Sequence, residues 1–133
     1  MLLDGIRRNP DSAELHNNVA AAYAISGRPT EALPHFEAAI QLNPNFAAAH
    51  ENYGAMLYTN GRVVPALAAL RRALALNPQS AGGHNFAGLC LLQLGDLNAA
   101  AVEFETTLRL DPSYAAARTN LELVRQHITQ RPR

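Results

Sequence analysis

The chain has 133 residues, 48% of them hydrophobic and 17% charged, and its eleven basic and eleven acidic side chains give a formal net charge of zero. That composition fits one folded domain, not a disordered segment, and no apolar run approaches the roughly 18 residues of a membrane span. The balanced charge excludes a surface built for nucleic-acid phosphates or acidic lipids, and it lowers the repulsion between copies.

Two kinds of breaker keep one period along the chain. Asn9-Pro10, Asn43-Pro44, Asn77-Pro78 and Asp111-Pro112 recur every 34 residues, and Gly27, Gly61 and Gly95 keep the same interval. The stretches between them are rich in Ala and poor in β-branched runs, so each reads as a helix. In chain order, Leu2, Leu3 and Ile6 fit the tail of a helix whose partner is missing. Helices are then expected at about 12–26, 29–42, 46–60, 63–76, 80–94, 97–110 and 113–129. Each glycine falls where a left-handed C-terminal cap is wanted, and Pro29 falls in a first turn, where its missing N–H costs little. Pro34 lies inside the helix at 29–42, where a bend is expected rather than a break. Connections of a few residues make successive helices antiparallel neighbours.

Aligned on Ala13, Ala47 and Ala81, the copies share their residue classes column by column. Val19-Ala20, Tyr53-Gly54 and Ala87-Gly88 pair a mostly large residue with a small one. Tyr23, Leu57 and Leu91 follow, then the small Ala32, Ala66 and Ala100, the large Phe36, Leu70 and Phe104, and the closing prolines. This pattern resembles the tetratricopeptide repeat. The resemblance implies an all-α fold, a right-handed superhelical solenoid of antiparallel helix pairs. Its repeats would span about 13–46, 47–80 and 81–112, with a partial repeat helix before them and a capping helix at about 113–129, in a single domain of residues 1–133. His16, His50 and His84 occupy the family's tryptophan column, and Thr107 stands where Ala is usual. The final helix places Glu122 and Arg125 on columns where a following helix would pack, which suits a solubilising end cap.

Catalytic and metal-binding patterns are weak. The three periodic histidines lie on stacked helices about 8–10 Å apart, too far to share a zinc that needs ligands at about 2.0–2.1 Å. They read as half-buried aromatics, with His35 and His127 isolated. Glu103 and Glu105, two apart on a helix, do not share a face. Cys90 has no basic neighbour in sequence and reads as a small buried hydrophobe. A single cysteine allows no internal disulfide, and the first residues have an early acid and no extended apolar stretch. A cytoplasmic, non-enzymatic protein without a cofactor or metal is therefore expected.

The resemblance implies that the first helix of each repeat lines a concave groove. Its fifth column holds Asn17, Glu51, Asn85 and Thr119, and its sixth holds Asn18, Asn52, Phe86 and Asn120; Tyr58, Leu89 and Leu92 lie further along. An Asn amide both donates and accepts, so such a ladder can hold a peptide backbone without reading its side chains. The string His16-Asn17-Asn18-Val19-Ala20 is similar to the repeats of O-linked N-acetylglucosamine transferase. The expected peptide-binding residues are Asn17, Asn18, Asn52, Tyr58, Asn85, Phe86, Leu89 and Asn120. The family's other groove mode, a cationic clamp for acidic chaperone tails, does not fit: its positions hold Asn17, Ala21, Asn52, Gly82 and Phe86, and none is a cation. A protein or peptide partner is thus expected, with no nucleic acid and no membrane. Two alternatives stand beside it: a substrate-recruiting fragment of a larger glycosyltransferase or sulfotransferase, and a scaffold that self-associates through its apolar N-terminal edge.

Overall fold

The computed structural model describes the backbone of residues 2–130 and the side chains of residues 3–130. It is all-helical over those residues: α1 (Leu2–Arg8), α2 (Ala13–Ile25), α3 (Pro29–Leu42), α4 (Ala47–Thr59), α5 (Val63–Leu76), α6 (Ala81–Gln93), α7 (Leu97–Leu110) and α8 (Ala115–Thr129). The expected helices are in place within one or two residues at each end. α3 runs through Pro34 without a break.

The breakers act as their chemistry dictates. Gly27, Gly61 and Gly95 take φ of 74°, 80° and 83°. At each, the next residue's N–H reaches back over the helix end: Arg28 to Tyr23 O at 2.9 Å, Arg62 to Leu57 O at 2.9 Å and Asp96 to Leu91 O at 3.0 Å. That bond closes the last turn and reverses the chain. At three of the four Asn-Pro and Asp-Pro breaks, the acidic or amide oxygen accepts the N–H two residues on. Asn43 Oδ1 takes Asn45 N and Asn77 Oδ1 takes Gln79 N, both at 3.2 Å, and Asp111 Oδ1 takes Ser113 N at 3.1 Å. Proline ends the helix and the preceding side chain builds the turn.

Small columns set the helix spacing. Ala20, Ala32, Ala66 and Ala100 are fully buried. A Cβ on Gly54 would lie 2.7 Å from Leu70 Cγ, and one on Gly88 would lie 2.6 Å from Phe104 Cε1. The glycines therefore permit an approach that a methyl group would prevent. Phe36, Leu70, Phe104 and Val124 fill the spaces so created and are themselves fully buried. Thr107, in the column where Ala is usual, is also buried; its hydroxyl shares one proton between Glu103 O at 3.0 Å and Ala81 O at 3.3 Å, so the extra polar atom is satisfied.

The solenoid curves toward one row of helices. α2, α4, α6 and α8 touch one another in sequence, whereas α3, α5 and α7 make no contact with each other. The first row is therefore the inner, concave wall. α8 buries Ala117, Leu121 and Val124 against α6 and α7 while Glu122 and Arg125 stay exposed.

Candidate functional site

The concave wall divides into two unlike halves. In the first, between α2 and α4, the amides are spent on each other. Asn52 Nδ2 donates to Asn17 Oδ1 at 3.2 Å, and Asn17 is only 6% exposed. The pair ties column five of one repeat to column six of the next. Asn18 points to solvent. Around them lies a gap of about 220 Å³ lined by Ala21, Ala24, Ile25, Asn52, Ala55, Met56 and Thr59, with Phe36 at its floor. Ile25 is 88% exposed, an apolar side chain left at its rim.

In the second half, between α4 and α8, the wall is richer in large apolar groups. Tyr58 and Phe86 meet edge-on, with ring centroids 6.0 Å apart and planes at 68°. Leu89 and Leu92 lie beside them, half-buried and packed against the core. The rung equivalent to Asn17–Asn52 is Asn85–Asn120, and it stays open: Asn85 is 5% exposed and its Oδ1 has no hydrogen-bond partner. The ladder expected from sequence is thus one closed pair and one open pair, interrupted by Phe86. Glu51 occupies the remaining rung, where its Oε2 accepts from Ser80 Oγ at 2.8 Å. Sequence reading placed Glu51 on the wall but gave it no role, because its partner Ser80 lies before the start of α6.

The histidine column has a structural task. His16, His50 and His84 each bring Nε2 to the carbonyl of the preceding proline, Pro10, Pro44 and Pro78, at 2.8, 2.9 and 2.9 Å. A carbonyl only accepts, so in each of these bonds Nε2 is the donor. Arg118 holds the same column in α8 and reaches Pro112 O at 2.6 Å. His35, expected to be isolated, is not: its Nδ1 lies 3.1 Å from His16 Nδ1, and its ring stacks between those of His16 and Tyr23. Burial, then the nearby His16, holds its pKa below the usual histidine value. The separation of 19 residues that joins these two also joins His84 Nδ1 to Glu103 Oε2 at 2.7 Å, a helix-pair offset that sequence periodicity alone did not reveal. Cys90 is fully buried, and burial pushes its thiol up to about 11. Among the described residues no group of three or more His, Cys, Asp or Glu is placed to hold a metal.

At the N-terminal edge lies a cleft of about 560 Å³ lined by Leu3, Asp4, Arg7, Val19, Ala22, Tyr23, Ser26 and Arg28. Shifted by one repeat, Ala22, Tyr23, Ser26 and Arg28 become Met56, Leu57, Asn60 and Arg62. Those four line an internal gap of only about 210 Å³, because Pro29, Thr30 and Leu33 at the start of α3 supply its other wall. At the edge no described residue takes the place of that wall. Leu3 is left 47% exposed, Ile6 is half-buried, and the side chain of Leu2 lies outside the described residues.

Comparison with known proteins agrees with this architecture. A family model described as tetratricopeptide repeat matches residues 1–45, 26–81 and 65–115. Among curated proteins none matches the sequence. The fold is similar to that of MamA, with a TM-score of 0.87 at 22% identity, over 96% of this chain and 75% of that one. It is similar also to PilF of Pseudomonas aeruginosa, with a TM-score of 0.88 at 24% identity, over 97% of this chain and 59% of that one. A third likeness is to the first repeat domain of Spaghetti (RPAP3), bound there to the HSP90 peptide SRMEEVD; the TM-score is 0.86 at 19% identity, over 89% of this chain and 94% of that one. With the period, the caps, the helix row and the family match in agreement, the chain belongs to the tetratricopeptide repeat family.

Proposed function

We propose that this chain is a non-enzymatic, cytoplasmic interaction module that holds an extended segment of a partner protein on its concave wall. The family supplies the general expectation, since repeat solenoids use their curved surfaces for binding. The observation that carries the specific reading is the second half of the wall, where Tyr58, Phe86, Leu89 and Leu92 stay partly open beside the unpartnered amide oxygen of Asn85. Apolar groups with a few convergent polar atoms are what a recognition groove needs. Adjacent repeats about 8–10 Å apart match about three residues of extended chain at 3.2–3.4 Å each. Linear peptides selected from a random twelve-residue display library, titrated calorimetrically against the wild type, Phe86→Ser and Val102→Ser, test the reading. Binding is expected to be lost with Phe86→Ser and kept with Val102→Ser on the outer face of α7. The reverse pattern defeats it.

A second reading has its own support. The N-terminal cleft repeats the chemistry of an internal gap that helix residues cover, and Asp4 and Arg7 on its wall are self-complementary across a two-fold axis. Self-association through this edge covers Leu3 and Ile6 in a second copy. Light scattering at high concentration is expected to find a dimer that Leu3→Glu or Ile6→Glu dissociates. A wild-type protein that stays monomeric there overturns this reading and leaves the groove untouched.

A further inference from the structure

We propose that the concave wall selects partner segments carrying a basic side chain, seated in a notch over Gly82 between Glu51 and Tyr114. The inference rests on the peptide-binding reading above and gives the peptide a chemistry. Gly82 leaves bare backbone on the wall of α6. A Cβ there would stand 3.0 Å from Glu51 Oε1 and 4.0 Å from Tyr114 Oη, so the bare backbone lets the carboxylate settle over it with the tyrosine hydroxyl close by. Glu51 is fixed in place: its Oε2 accepts from Ser80 Oγ at 2.8 Å, and Ser80 Oγ in turn accepts the N–H of Gly83 at 3.0 Å. Its Oε1 is left to accept from something else. One turn on, Asn85 carries another unpartnered acceptor, Oδ1, enclosed beneath the wall.

The carboxylate of Glu51 only accepts, and the hydroxyl of Tyr114 can accept as well, so the site calls for donors. An ammonium brings three and a guanidinium five, whereas a partner carboxylate would meet Glu51 with like charge. The start of α6 carries about half a positive charge, which the full charge of Glu51 outweighs. Among the described residues no arginine is paired with the carboxylate. All eleven basic residues are arginine, so the chain has no lysine. Of the arginines in α8, Arg118 turns back to Pro112 O and Arg125 reaches Glu105 of α7. Phe86, four residues after Gly82, lies about 5–6 Å along the same helix face, a distance two extended residues span. The preferred segment is therefore a basic residue with a large apolar one two positions away. This polarity is opposite to that of the acidic peptide SRMEEVD bound by the Spaghetti repeat domain.

The display selection described above supplies the probes. Selected peptides are expected to be enriched in Lys and Arg over Asp and Glu. Their affinity should fall about tenfold with Glu51→Gln, which keeps the Ser80 contact, should fall again with Gly82→Ala, which fills the notch, and should weaken with salt. Because the chain has no lysine, a zero-length carbodiimide should couple a peptide lysine to Glu51, a bond that mass spectrometry locates. Peptides that depend on Phe86 but show no basic enrichment, and bind Glu51→Gln as well as wild type, overturn this inference and leave the groove reading standing. A selection that yields no peptide dependent on Phe86 overturns both.

Discussion

Replacing Gly88 by alanine puts the helix-spacing argument at risk through a change of sign. In an open helix interior, Gly→Ala stabilises by about 0.8–1.0 kcal/mol, because alanine gives up less backbone entropy. At Gly88 the new methyl carbon would lie 2.6 Å from Phe104 Cε1 and 2.9 Å from both Cδ1 and Cζ. The ring is fully buried, so it cannot swing into solvent to make room. Overpacking of this kind costs about 1–3 kcal/mol. With three ring atoms inside contact distance the cost wins, and a net loss of about 1–2 kcal/mol is expected, or roughly 4–8 °C in Tm for a chain of this size. Gly82→Ala is the control in the same helix. Its closest neighbour is the tip of the Glu51 side chain, at 3.0 Å, which can give by a few tenths of an ångström while keeping Ser80, so it should melt near wild type. Phe104→Ala should relieve the clash, since it removes the ring atoms that the new methyl group would meet, and the double variant should show a favourable coupling. Urea denaturation of the four proteins measures the cycle. If Gly88→Ala melts at or above wild type, the two helices are not held at the distance described.

Other outcomes follow from the same geometry. Asn52→Ala removes the donor to the buried Asn17 and should cost about 1–3 kcal/mol in urea, whereas Asn18→Ala, exposed and unbonded, should stay within about 0.5 kcal/mol; equal effects would show that the Asn17–Asn52 bond is not made. His35 is held below its ordinary value of 6.5, so the unfolded chain binds a proton that the native protein resists. Its contribution is full above pH 6.5 and is lost as pH falls below it, and Tm measured from pH 7 to 5.5 should decline less steeply in His35→Phe, which keeps the stack on Tyr23. Cys90, buried with its thiol near 11, should not react with a disulfide reagent at pH 8 until the protein is unfolded; prompt reaction of the native protein would place it at the surface.

The fold was legible because its signals are local and repeated. A glycine that needs positive φ and a proline that ends a helix announce themselves wherever they stand, and three copies fixed the register. What escaped the sequence depends on offsets between helices. Asn17 and Asn52 read as two rungs of a free ladder, but a separation of 35 residues carries column five of α2 to column six of α4, where the amides meet. The pairing of His16 with His35 has the same cause, an offset of 19 residues across one helix pair. The notch over Gly82 was hidden for another reason: it is made by a missing side chain, an N-cap serine and a tyrosine outside any helix, none of which stands out in a column of residue classes.

The central claim is that the concave wall, and specifically its second half, is the binding surface. Amide chemical-shift mapping of the isotope-labelled protein, titrated with a selected peptide, tests it most directly. The account predicts that the largest shifts fall on Glu51, Tyr58, Gly82, Phe86, Leu89 and Asn120, with Arg71, Val102 and the N-terminal cleft unmoved. Shifts centred on the outer helices α5 and α7, or on α1 and Tyr23, would contradict it.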